Sequence, residues 1–87
     1  GFISGFSINS VTGLLTPLPG SPFQAESPAG IVVHPNGKLL FVSTIFSGVV
    51  VGFRIDQSTG ALTRVSELPV VGNRLAIDPE GKFLYVP

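Results

Sequence analysis

Apolar residues along this chain fall into short runs that glycine and proline separate. In residues 49–56 the large apolar side chains take alternate positions, whereas Arg54 and Asp56 fall on the other side. A period of two indicates a β-strand with one covered face. Residues 31–33 and 39–42 are continuous apolar runs, which suit strands covered on both faces. Eleven glycines and eight prolines interrupt the chain too often for long helices, so the pattern predicts an all-β protein.

The sequence repeats itself. Residues 5–16 align with residues 52–63 at an offset of 47, and seven of the twelve pairs are identical. Residues 33–42 align with residues 77–86 at an offset of 44, so three residues are lost between the two blocks. A period in the mid-forties matches the roughly 40–50 residues of a four-stranded β-propeller blade.

Two of the predicted turns place proline second and glycine fourth. Pro35 and Gly37 take these positions in one repeat, and Pro79 and Gly81 take them in the other. Proline presets φ for a type I turn, and glycine gives the chain freedom where it leaves the turn. These four residues are therefore predicted to serve the turns rather than chemistry.

A second pair of turns ends at Gly13 and Gly60. Each begins with a residue whose side chain can accept from the amides that follow it, Asn9 in one case and Asp56 in the other. Glycine at the end of such a turn adopts a positive φ at no steric cost. Each repeat is thus predicted to run as strand, Pro-Gly turn, strand, loop, strand, Thr-Gly turn, strand.

The repeat divides the chain into half a blade, a whole blade and half a blade of a β-propeller fragment with antiparallel strands. Residues 1–27 supply the third and fourth strands of one blade, residues 28–71 a complete blade, and residues 72–87 the first two strands of the next. Residues 17–28 are predicted to link adjacent blades, with Phe23 packed between them. Repeats of this kind bury their faces only on one another, and both ends of the chain look like truncation points.

Composition narrows the classes of function. Charged residues make up 11% of the chain, against about 25% in ordinary soluble domains, so other blades are expected to cover part of the surface. The five basic residues are dispersed, which argues against nucleic-acid binding. No apolar stretch reaches the ~20 residues of a membrane span. Without cysteine there is no disulfide, and without a starting methionine or a signal-like segment the sequence leaves the cellular compartment open.

Two segments carry a resemblance to a known family. Residues 5–16 contain Gly-Phe-x-Ile-Asn followed by Thr-Gly-x-Leu-Thr, and residues 78–86 read Asp-Pro-x-Gly-Lys-Phe-Leu-Tyr-Val. Together they resemble the repeat of the lactonase, or 6-phosphogluconolactonase-like, seven-bladed propellers. Thr44 departs from the Asn that the family often carries there. The resemblance implies a cage around a central channel, a lactone or sugar-acid ligand and no redox cofactor, but not which members are enzymes.

Few residues offer catalytic chemistry. His34 is the only histidine, and because Asp78 takes its place in the other repeat, a turn-capping or solvated role is expected. No Gly-x-Ser-x-Gly nucleophile motif is present, and the acidic residues show no metal-ligand spacing, so no metal site is predicted. Catalytic residues are not assigned.

Arg74 is the candidate ligand-binding residue, with Asn73 beside it. It lies at the start of a predicted innermost strand, where the preceding repeat has Gly30, so the cage itself does not require it. In a propeller that position is near the mouth of the channel. A guanidinium there either binds a carboxylate or a phosphate through paired hydrogen bonds or is solvated as an ordinary loop arginine.

Three functional interpretations remain open at this stage. The chain is part of a propeller lactonase or cyclase whose site is assembled from several blades. Alternatively it belongs to a non-catalytic propeller that binds or scaffolds a partner. In the third case the chain is complete and self-assembles, with half-blades joining across copies so that three chains give six blades.

Overall fold

A computed structural model describes all 87 residues, which form ten β-strands and no helix. The chain therefore has no helix that could cross a membrane. The strands are β1 (Phe2–Ile3), β2 (Phe6–Ile8), β3 (Leu15–Pro17), β4 (Phe23–Gln24), β5 (Pro28–Val33), β6 (Leu39–Thr44), β7 (Val50–Ile55), β8 (Leu62–Leu68), β9 (Ala76–Ile77) and β10 (Leu84–Tyr85). All pairings are antiparallel, which confirms the predicted fold class.

The central blade is a four-stranded meander in the order β5-β6-β7-β8. Its register places Leu40 opposite Phe53 and Val42 opposite Val51. These four side chains are buried and form the core, against which Ile3 of the preceding half-blade packs. Burying an aliphatic or aromatic side chain of this size contributes about 1.5–3 kcal/mol. The contact with Ile3 shows that the blade buries this face against its sister unit.

The first half-blade contains a strand that was not predicted, inside the segment 17–28 that links adjacent blades. Within that segment, β4 pairs with β1, so that Phe23 lies opposite Ile3 and Gln24 opposite Phe2. Residues 18–22 loop out between β3 and β4, and the Gly5 amide donates to Ser21 Oγ at 3.0 Å. The fourth strand of this half-blade is therefore interrupted and then resumes. The prolines at 17, 19 and 22 conceal the resumption because they interrupt a strand pattern.

The last half-blade consists of β9 and β10, with Tyr85 opposite Ala76 and Leu84 opposite Ile77. Leu84 and Ile77 face the central blade and border a cavity of about 110 Å³ together with Phe41. The other side of this half-blade is exposed, as Tyr85 shows with an exposed fraction of 60%.

Antiparallel pairing gives each blade two distinct edges. One edge, here called the loop edge, holds the start of β5, the end of β6, the start of β7 and the end of β8, because Pro28 pairs with Thr44 and Val50 with Leu68. The opposite edge, the turn edge, holds the four predicted turns. At the turn edge Gly13, Gly37, Gly60 and Gly81 all have positive φ, between +73° and +78°.

Candidate functional site

The boundary between the central blade and the last half-blade, here called the seam, is closed at the loop edge by one buried hydroxyl. Ser43 Oγ accepts from the Gly30 amide at 3.0 Å and donates to the Asn73 carbonyl oxygen at 2.6 Å. Ser43 has no exposed surface. A Cβ atom on Gly30 would collide with the Asn73 carbonyl oxygen. The seam at this point thus depends on glycine at position 30 and a hydroxyl at position 43.

Thr44, the next residue, closes the loop between β6 and β7. Its Oγ1 donates to the Val49 carbonyl at 2.8 Å and accepts from the Val49 amide at 3.1 Å. Thr44, which departs from the family pattern, therefore still stabilises the loop between β6 and β7. Sequence reasoning missed the roles of Ser43 and Thr44, although two polar residues directly after the apolar run 39–42 were the available signal.

Asn73 and Arg74 lie together on the loop edge, just before β9, and both are exposed. The Asn73 main chain belongs to the seam, whereas the Arg74 guanidinium makes no hydrogen bond or ion pair with any residue of the chain. Arg74 borders a cleft of about 530 Å³ with Tyr85 and Pro87, on the exposed side of the last half-blade. It is a cation beside open space.

Arg64, unlike Arg74, has a guanidinium that is held by contacts within the chain. Its guanidinium lies 3.2 Å from Glu26 and 3.9 Å from Glu67, and 5.9 Å from the centre of the Phe53 ring. A hydrogen bond from its own backbone amide, together with Arg64, lowers the pKa of Glu26 below its usual value of 4.5. Arg64 therefore joins the segment between β4 and β5 to the central blade. Arg74 has no comparable partners within the chain.

His34 lies at the turn edge, and both of its ring nitrogens are occupied. Nδ1 accepts from the Asn36 amide at 3.1 Å, so the ring caps its own turn. Nε2 is 2.8 Å from the Gly81 carbonyl oxygen, which can only accept, so Nε2 carries the proton. Sequence reasoning foresaw the cap but not this bond between neighbouring blades. A Cβ atom on Gly81 would collide with the imidazole, which explains glycine there beyond its positive φ.

The two turn aspartates act as hydrogen-bond acceptors. Asp56 accepts from the Ser58 hydroxyl at 2.7 Å and from the amides of Ser58 and Thr59, and these bonds lower its pKa to about 2. Asp78 accepts from the Phe83 and Lys82 amides, both at 2.7 Å, and the Phe83 bond contributes most to its lowered pKa. Hydrogen bonds to the ionised form favour that form. Neither carboxylate is suited to donate or take up a proton near neutral pH.

Comparison with known proteins agrees with this geometry. The family model described as a seven-bladed lactonase β-propeller matches residues 3–87. Three solved structures share the fold: a protein from Lactobacillus plantarum (21% identity, TM-score 0.80) and candidate 6-phosphogluconolactonases from Bacteroides fragilis (24%, 0.80) and Bacteroides uniformis (23%, 0.77). They cover 95%, 97% and 98% of this chain respectively. No curated protein matches it.

The extent of these matches defines what the chain contains. It spans 27%, 25% and 26% of the three structures, about a quarter of each propeller. One complete blade and two half-blades make two blades of the seven, which agrees with that share. The repeat, the four-stranded central sheet and the family match all lead to one conclusion. The chain belongs to the lactonase family of seven-bladed β-propellers.

Proposed function

We propose that these 87 residues form part of the wall of a propeller that binds sugar-acid lactones, and that Arg74 supplies the group that holds the anionic part of the ligand. The observation that carries the proposal is the unpartnered Arg74 guanidinium at the loop edge, beside a cleft. The fold does not require a cation there, since Gly30 takes the same repeat position. A guanidinium binds carboxylate or phosphate through two parallel hydrogen bonds. The names of the two Bacteroides structures, candidate 6-phosphogluconolactonases, are in keeping with a phosphorylated lactone.

Within this proposal the segment binds the ligand and does not transfer protons. The imidazole of His34 is held by Asn36 and Gly81 at the turn edge, at the opposite end of the strands from Arg74. Asp56 and Asp78 are held ionised by their own turns. A general base for lactone hydrolysis therefore comes from other blades. Asn73, whose carbonyl is engaged but whose side chain is exposed, is the second group offered to the ligand.

The partners we propose are the remaining blades of the same propeller. Large apolar side chains on both half-blades are exposed, among them Phe6 at 46%, Ile8 at 72% and Tyr85 at 60%. Large apolar side chains exposed on both half-blades support the proposal that other blades cover these faces. Copies of this chain are the alternative partner, and sedimentation of the isolated chain separates the two: a discrete soluble trimer supports self-assembly, whereas aggregation supports missing blades.

The function is tested by hydrolysis of 6-phosphogluconolactone by the propeller that contains this segment. Arg74→Ala is compared with Arg54→Ala, because Arg54 is also exposed and also lacks an ion pair but lies toward the turn edge. A hydrogen bond to a charged group contributes about 1.5–3 kcal/mol, which corresponds to roughly a tenfold to hundredfold fall in kcat/KM for Arg74→Ala alone. Equal effects of the two substitutions would refute the role of Arg74. Binding of 6-phosphogluconate without any hydrolysis of the lactone would favour a non-catalytic binding propeller.

A further inference from the structure

The two repeats can be compared where each faces the blade that follows it. On the central blade this side is identified by its contacts, because Gly30 and Ser43 touch Asn73, and Phe41 borders the cavity with Leu84. Strand alternation adds Val32 to the same side. The offset of 44 then gives the equivalent side of the last half-blade. Position by position, Gly30, Val32, Phe41 and Ser43 are replaced by Arg74, Ala76, Tyr85 and Pro87.

Two of these replacements remove the parts that close the observed seam. At Gly30 even one added carbon collides with the carbonyl oxygen of the following segment, and a backbone atom cannot rotate away as a flexible side chain can. Arg74 brings that carbon and a long side chain. At Ser43 the hydroxyl bridges two main-chain groups, whereas Pro87 has neither a hydroxyl nor an amide proton. A segment that follows cannot dock on Arg74 as Asn73 docks on Gly30.

The other two replacements make the same side roomier and more polar. Ala76 is smaller than Val32, and Tyr85 adds a hydroxyl that Phe41 lacks. Arg74, Ala76, Tyr85 and Pro87 all border the one cleft of about 530 Å³. The changes therefore place a guanidinium, a phenolic donor and a smaller apolar side chain on the same side of the half-blade. Hydrogen-bond donors that converge beside an apolar wall are typical of a small-molecule site.

We propose that the seam after the last half-blade stays open at the loop edge and binds a sugar-acid anion between the Arg74 guanidinium and the Tyr85 hydroxyl. The inference rests on the proposed function and deepens it, because it places the anion between two blades rather than in the central channel. The guanidinium takes two oxygens of a carboxylate or phosphate, and the phenol donates to a third oxygen or to a sugar hydroxyl. The closed seam at Gly30 has no donor free to do the same.

The test restores the closed seam in the complete propeller. The double variant Arg74→Gly with Pro87→Ser gives the last half-blade the glycine and the hydroxyl of the central blade. Calorimetric titration with D-gluconate probes a carboxylate, and titration with inorganic phosphate probes a phosphate. We expect at least tenfold weaker binding of the preferred probe and slower amide exchange in the segment that packs on residue 74. Unchanged affinity together with unchanged exchange would overturn the proposal.

Two single variants keep the proposal testable if the double variant does not fold. Tyr85→Phe removes only the hydroxyl and is expected to weaken binding severalfold, whereas Phe41→Tyr at the closed seam leaves binding unchanged. Arg74→Lys keeps the charge but loses the paired geometry, so it is expected to weaken binding as well. If Tyr85→Phe and Arg74→Lys both bind like the unmodified protein, the site is elsewhere.

Failure of this proposal and failure of the proposed function give different results. A propeller that hydrolyses no lactone but binds gluconate through Arg74 and Tyr85 supports the open seam and refutes the lactonase function. A propeller whose hydrolysis depends on Arg74 but not on Tyr85, with amide exchange unaffected by the double variant, supports the function and refutes the open seam.

Discussion

The buried hydroxyl of Ser43 donates to the Asn73 carbonyl oxygen at 2.6 Å, and by this bond the second strand of one blade holds the segment that leads into the next. Ser43 Oγ also accepts from the Gly30 amide at 3.0 Å, so three segments of the chain meet at this one hydroxyl. Both partners of the hydroxyl are main-chain groups. The bond therefore fixes the path of the backbone between blades independently of the side chain at position 73, provided that position 30 is glycine.

Replacement of Ser43 by alanine is expected to destabilise the propeller by about 2 kcal/mol, because the Gly30 amide and the Asn73 carbonyl each lose the buried hydroxyl that pairs with them. Denaturant unfolding measures the change. Ser47→Ala, in the exposed loop between β6 and β7, is the matched control and is expected to stay within about 0.5 kcal/mol of the parent. A Ser43→Ala protein as stable as the control would show that the hydroxyl is not needed.

Gly30→Ala is expected to cost about 1–3 kcal/mol, as overpacking does, because the new methyl group meets the Asn73 carbonyl. Hydrogen exchange localises the effect, with faster exchange in residues 72–75. Gly13→Ala provides the comparison: it has no atom within 4 Å of the new methyl group but a φ of +78°, so its cost is backbone strain at the turn edge. Exchange in residues 72–75 should not respond to it.

His34→Asp places the residue of the other repeat into the first turn. Aspartate can still accept from the turn amides, as Asp78 does, but cannot donate to the Gly81 carbonyl. We expect a loss of about 1 kcal/mol in stability and, for the proposed lactone hydrolysis, an unchanged kcat. A folded variant with kcat reduced more than a hundredfold would instead make His34 a catalytic residue.

The Asp56 carboxylate is expected to titrate at a pH of about 2, well below its ordinary value of 3.8. Since the folded pKa is the lower one, its contribution to stability is fully present above pH 3.8 and is lost as the pH falls through about 2. Ser58→Ala removes the largest cause of the shift and should move the pKa back toward 3.8, as NMR of the side-chain carboxyl carbon would detect. An Asp56 pKa that does not move in Ser58→Ala would contradict this assignment, and Ser47→Ala is the neutral control.

The family and the all-β fold could be predicted from the sequence because repetition exposes them. The two offsets align turns and strands that carry the same residues, and the period of two in residues 49–56 identifies strand β7. The turns could also be predicted, because the residues that form each of them are close together in the sequence. Proline, glycine and a side-chain acceptor act within a few residues, so the turns at Gly37 and Gly60 require no knowledge of the rest of the chain.

Contacts between distant residues could not be predicted in the same way. Strand β4 resumes after a loop that contains two prolines, and only its pairing with β1, about twenty residues earlier, makes it a strand. The bond from His34 to Gly81 spans 47 residues, and the bond from Ser43 to Asn73 spans 30. Nothing in the nearby sequence of either residue distinguishes an inter-blade donor from an ordinary polar residue. The repeat reveals which positions are equivalent but not which of them touch.

The dependence of the seam on Gly30 and Ser43, with only a main-chain oxygen as their partner, makes residues 28–71 a module for tandem duplication. Each copy would supply the glycine and the hydroxyl for the seam with the copy that follows it. It would also supply a main-chain carbonyl for the seam with the copy before it, whatever residue carries that carbonyl. Designers who concatenate this unit are thus free to diversify position 29, the repeat counterpart of Asn73, while they keep Gly30 and Ser43 constant. A blade duplicated by natural gene duplication would need to keep the same glycine and hydroxyl.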